Sequence, residues 1–211
     1  AINAFAQGLR TVRPNAKVVL RWACLPDPAH PLDFSDREDV NLFYAKDERE
    51  PEGTNRDYGL VRREPDGTLT PVALPIWKWE SFYIGVIRCI FNGTWESIDN
   101  GRAINYWWGI KSGAESVDYK ADLGSGTRQL LELLQREICD GTLEIFPREC
   151  YAQGHELHTP QAGAYTPKEL MEMDWLDECV EGSLPLYEEL DVKTRRLLTI
   201  NGLDNVKGLE K

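Results

Sequence analysis

INAFAQGLRTVRPNAKVVLRWAC, residues 2–24, carries two hydrophobic periods in succession. Ile2, Phe5, Leu9 and Val12 recur at helical spacing and Pro14-Asn15 ends the pattern, so the segment opens with a helix that has one apolar stripe to bury. Residues 17–24 are then a dense β-branched and aromatic run, followed by Pro26, Asp27, Pro28 and Pro31: a strand leaving into a loop at its C-terminal end. A helix that needs a sheet beside a strand that supplies one sets the expectation of an α/β fold. The expected form is an open, mostly parallel sheet flanked by helices, with ligands in the crevice outside the C-terminal ends of the strands.

The pattern continues outward. Residues 40–45 (VNLFYA) suggest a second strand, residues 46–57 a loop too polar to bury, and residues 58–62 and 69–76 two strands about a Pro65-Asp66-Gly67 turn. Tyr83, Val86, Ile87, Ile90 and Phe91 mark a helix capped by Ser81 and stopped by Asn92-Gly93, with an apolar face expected to lie on a sheet. Residues 104–110 (INYWWGI) suggest a further strand, and residues 125–139 an amphipathic helix stopped at Asp140-Gly141. Thr166-Pro167-Lys168-Glu169 is a capping box ahead of Leu170, Met173, Leu176 and Val180. Beyond Leu190 a charged, weakly amphipathic segment forms a short helix or a frayed end. There is no internal repeat.

The totals exclude some classes. A formal charge of −11 over 211 residues disfavours nucleic acid or an anionic membrane as the main partner, since both attract Lys and Arg. Seven Trp, eight Tyr and six Phe supply ample material for a core. Five cysteines, Cys24, Cys89, Cys139, Cys150 and Cys179, cannot all pair within the chain, and none is in C-x-x-C spacing. This leans towards a reducing compartment or towards buried thiols acting as small apolar groups. No signal peptide is visible, and no run approaches the roughly 18 apolar residues a membrane span needs. The chain opens without Met, directly into a helical pattern, as an excised fragment would.

The chain contains no G-x-S-x-G, H-E-x-x-H, P-loop or G-x-G-x-x-G, so the expectation is a non-enzymatic protein without a cofactor or metal. Gly124-Ser125-Gly126-Thr127 fits either a phosphate-binding helix start or an ordinary cap and turn. His155 and His158, near Glu156 and Cys150, fit either a metal site or a loop. Asn92-Gly93-Thr94 matches a glycosylation sequon and equally a helix stop. The aromatics carry more information. Trp77 and Trp79, one residue apart, face the same side of an extended segment, whereas Trp107 and Trp108 point to opposite faces. Such rings either stack on a flat ligand or fill the core.

Four blocks of this chain resemble, in order, segments of the basic membrane protein family. Residues 2–22 are similar to its helix N-A-F-x-x-G-x-x-x-V-N-P-x-A-K and following strand, and PIWKWESFYIGVIRCIFNGTWES to its I-W-N-W-G-P-Y-Y block. NYWWGIKSGAESVDY resembles W-G-L-K-x-G-x-V-D-L, and MDWLDECVEGSLP resembles M-D-W-x-x-x-x-V-x-G-x-x-P. The resemblance implies a lobe of a type I periplasmic-binding-protein receptor over residues 1–150, with a helical tail over 151–211. It further implies a small-molecule ligand, a purine base or nucleoside, held against an N-terminal lobe not included here. An ABC transporter permease is the implied partner, and the cell envelope the implied location, as a lipid-anchored or periplasmic receptor; the cysteine count favours a cytoplasmic variant. The implied ligand wall comprises Trp22, Asp27, Gly59, Trp77, Trp79, Trp108 and Gly109. Departures shift the expected ligand. Cys24 stands where nucleoside-binding relatives have an aromatic before Asp-Pro, and Val61 about where they have the ribose-binding Asp, which points to a bare base, another flat ligand or no small ligand. The alternative is a regulatory or interaction protein that keeps the receptor fold without transport.

Overall fold

The computed structural model describes residues 1–25, 27, 29–45, 59–93, 109–119 and 123–200. In chain order its helices are α1 (Ile2–Val12), α2 (Trp79–Phe91), α3 (Ser125–Asp140), α4 (Pro167–Met171) and α5 (Val192–Ile200). Its strands are β1 (Val18–Val19), β2 (Leu42–Ala45), β3 (Gly59–Arg63), β4 (Leu69–Trp77), β5 (Glu115–Tyr119), β6 (Cys150–Tyr151), β7 (Leu157–His158) and β8 (Val180–Glu181). The chain divides into two compact units: of the described residues, those within 1–25 and 143–200 belong to the first and those within 27–93 and 109–142 to the second.

In the first unit, α1 presents Ala6, fully buried, to Leu176, Cys179 and Val180, with Ile2, Val18, Leu20 and Leu184 packed around them. β1 pairs in parallel with β8, Val18 opposite Val180 and Val19 opposite Glu181. The strand expected over 17–24 is therefore two residues long, since its pairing partner is equally short. α4 begins with the expected capping box, the Thr166 side chain accepting from Glu169 N and the Glu169 carboxylate accepting from Thr166 N. It ends after Met171, so Leu176 and Val180 enter the core from a loop and a strand and not from a continuing helix.

The second unit corrects the expected fold class. Its main sheet is four-stranded and antiparallel, in the order β2-β3-β4-β5, and not an open, mostly parallel type I periplasmic-binding-protein sheet flanked by helices. The physical reason lies in the turn. β3 and β4 are joined across residues 64–68, where Gly67 N–H donates to Glu64 O and Glu64 N–H donates to Thr68 O. So short a hairpin can only reverse the chain, whereas a parallel neighbour needs a crossover of a dozen or more residues. Among the described residues the parallel pairing is confined to β1 with β8. Among the described residues no helix covers the sheet: neither α2 nor α3 has a buried residue, and Phe91, on the apolar face expected to seat α2, is 86% exposed. The unit's core is Phe34, Phe43, Val61, Leu74 and Ala114, with the Phe34 and Phe43 rings 5.7 Å apart. Arg63 closes that core from the side, its guanidinium 5.3 Å from the Phe43 ring centre and donating to the carbonyls of Asp33, Phe34 and Val40.

Candidate functional site

β4 ends at Trp77 and α2 begins at Trp79, two residues before the Ser81 cap expected from the pattern; Lys78 is the N-cap and makes no side-chain cap. Lys78 N–H donates to Ala114 O at 2.7 Å, anchoring this corner to the residue just before β5. The two indoles come together across this strand-to-helix corner: their centroids are 6.3 Å apart with planes 28° from parallel. Tyr83, one turn along α2, tilts towards Trp79 at 6.3 Å, and Phe82 meets Trp79 edge-on at 6.0 Å. These separations lie within the range in which aromatic pairs attract. Trp77, Trp79 and Tyr83 are 44%, 53% and 57% exposed, so the cluster forms a ledge with ring surface open to solvent.

Across the sheet, Trp77 lies directly opposite Glu115. Directly opposed residues of an antiparallel pair share a sheet face, with Cβ atoms about 4.5–5.5 Å apart. Glu115 is half-buried, and burial pushes its carboxyl up from the ordinary value. Among the described residues no cation or donor answers that carboxylate. Sequence reasoning passed over Glu115, because its partnership with Trp77 joins positions separated by a helix. The alternation in ESVDY was the one local signal that a strand was there.

The remaining candidates do not join this ledge. Trp22 belongs to the first unit, where its Nε1 donates to Ser183 O at 2.8 Å and ties the end of the β1 segment to the residues after β8. Asp27 forms a local turn: its carboxylate accepts from Ala29 N and sits 2.9 Å from His30 Nδ1, on an exposed surface. Gly59, at the start of β3, has φ +105°, and a Cβ there would stand 2.5 Å from Ala73 O, so glycine is needed for the approach of two strands. Gly109 is exposed and starts a 3-10 turn over Ile110–Ser112, accepting from Ser112 N and Oγ. Trp107 and Trp108, and most of the strand expected over 104–110, lie outside the described residues, as do the loop expected over 46–57 and Thr94 of the sequon.

The two histidines that fit a metal site make other contacts. His158 stacks on Trp175 at 4.5 Å and 17°, while His155 Nδ1 lies 3.0 Å from Glu178. Among the described residues no three His, Cys, Asp or Glu side chains gather as a metal site. Gly124 is the N-cap of α3, without a side-chain cap. A cleft of about 500 Å³ lies between α2 and the 3-10 turn, lined by Ser81, Ile84, Gly85, Arg88 and Ser112. Its lining side chains lie on the side of α2 away from Trp79 and Tyr83, given helical spacing.

No protein-family model matches the chain. No curated protein matches it significantly.

Proposed function

We propose that the chain is a non-catalytic binding module that holds a small, flat ligand by stacking it on the Trp77–Trp79 ledge. The observation that carries the reading is the near-parallel indole pair at a strand-to-helix corner, with roughly half of each ring exposed. Exposed indoles are costly to leave in water, and a flat ring laid on them is worth about 1–3 kcal/mol per stacked base. The resemblance of four ordered blocks to the basic membrane protein family supports placing the module in a solute receptor that feeds an ABC transporter, with a second lobe closing over the ledge. Val61, buried in β3 and standing about where nucleoside-binding members of that family have a ribose-binding Asp, favours a bare purine or pyrimidine base over a nucleoside. A regulatory protein that keeps the site without transport is the second reading; the odd number of cysteines, five, supports it by favouring a reducing compartment.

A thermal-shift panel of purines, pyrimidines and nucleosides tests the proposal. Free bases should raise the melting temperature more than their nucleosides, and Trp77→Ala should abolish the shift. A panel in which no ring compound stabilises the protein, or in which Trp77→Ala leaves the shifts intact, would refute the stacking role. A lipoprotein signal in the full-length gene separates the transport reading from the regulatory one.

A further inference from the structure

We infer that the ledge selects a flat ligand carrying positive charge, an N-alkylated or protonated heteroaromatic ring, with Trp77 and Trp79 as the stacking surface and Glu115 as the counter-charge. The inference deepens the stacking reading above and rests on it. Trp77 and Glu115 are register partners across β4 and β5, so the carboxylate and the indole occupy neighbouring positions on one sheet face. Among the described residues nothing answers this half-buried carboxylate, so it bears the cost of lost hydration, and burial accordingly raises its proton affinity. A cation laid on the indoles would supply the missing charge. The indoles act in the same direction, since the negative face of each ring attracts a cation held within about 6 Å of its centre. A neutral ring would gain the stacking alone.

Other charges lie near the corner. The start of α2 contributes about half a positive charge, which favours anions, but Glu80 stands in its first turn and offsets it. Lys78 is exposed, between the two tryptophans in sequence, and no ion pair joins it to Glu115. The chain as a whole carries −11, which raises the local concentration of cations and depletes anions.

The test is calorimetric titration of the whole chain at low ionic strength and neutral pH with three ligands of one ring size: N-methylquinolinium, quinoline and quinoline-2-carboxylate. The expected order is cation, then neutral ring, then anion, with the cation about tenfold tighter than quinoline. Glu115→Gln should bring the cation to within about twofold of quinoline and leave quinoline unchanged, while Glu188→Gln, which removes the same charge from the other unit, should preserve the preference. Circular dichroism of each variant confirms that it folds. Neutral-ring binding without cation preference, or a preference that survives Glu115→Gln, overturns this inference alone. Failure of all three ligands to bind overturns the stacking reading as well.

Discussion

The side-chain oxygen of Asn3 accepts the backbone N–H of Asp177 at 2.9 Å, across 174 positions of sequence. The same carboxamide donates to Trp175 O at 2.8 Å, so one buried residue of α1 satisfies two backbone groups of the M-D-W-L-D segment. Asp177 is itself fully buried and is held by Gln7 Nε2 at 2.5 Å, by Cys179 N at 2.9 Å and by Arg10 at 3.5 Å. Asn3→Ala should therefore lower the unfolding free energy by about 1–3 kcal/mol, because it orphans a buried donor and a buried acceptor. Thr11→Ala, which removes an exposed bond to Gln7 O, should cost under about 0.5 kcal/mol. Urea denaturation of the two variants measures the difference.

Gly59 and Gly67 both have positive φ, +105° and +85°, yet they should respond differently to substitution. An added Cβ at Gly59 meets Ala73 O, whereas at Gly67 nothing lies within 4 Å. Gly59→Ala should destabilise by at least about 2 kcal/mol through strain and collision together. Gly67→Asn, in the open hairpin turn where Asn tolerates the left-handed conformation, should cost under about 1 kcal/mol. Thermal melts rank the two.

Two glutamates should give opposite pH signatures. The backbone N–H of Gln161, followed by the N–H and hydroxyl of Thr166, holds the Glu169 carboxyl below its ordinary value of 4.5. Its contribution to stability is complete above 4.5 and is lost as pH falls through the lower folded value. Glu115 is displaced upward by burial, so its folded form binds the proton more tightly, and stability falls as pH rises from 4.5 through the raised folded value. Glu115→Gln should accordingly be more stable than the parent at neutral pH, with the advantage shrinking in acid. Glu169→Gln should be less stable at neutral pH, with the deficit shrinking in acid. Melting temperatures of the three proteins between acid and neutral pH check both signs.

What the sequence made legible was local. The Thr166 to Glu169 box and the Asn92-Gly93 stop of α2 are set within a few residues, and the structure has both. The helix α1 forms as well, but it buries Asn3 and Ala6, while Phe5 and Val12 of the expected stripe are exposed. The Trp77 and Trp79 indoles do lie together, but not through the alternation of an extended segment, since β4 ends at Trp77 and α2 begins at Trp79. Strand direction was not legible from hydrophobic runs alone. The 65–67 turn implied a reversal, but the α1–β1 opening and the family resemblance both argued for a parallel sheet, and β5 was not anticipated at all. Its pairing with β4 depends on residues far apart in the chain, and with it the position of Glu115 beside Trp77 stayed hidden.

Calorimetric titration of the free base that stabilises the protein most, into the parent chain, Trp77→Ala and Trp22→Phe, addresses the central claim most directly. Trp22 is engaged by Ser183 in the first unit, so its variant controls for the loss of an indole. The account predicts that Trp77→Ala weakens binding by about 1–3 kcal/mol while Trp22→Phe leaves it unchanged. Equal affinity of the parent and the Trp77→Ala protein would contradict it.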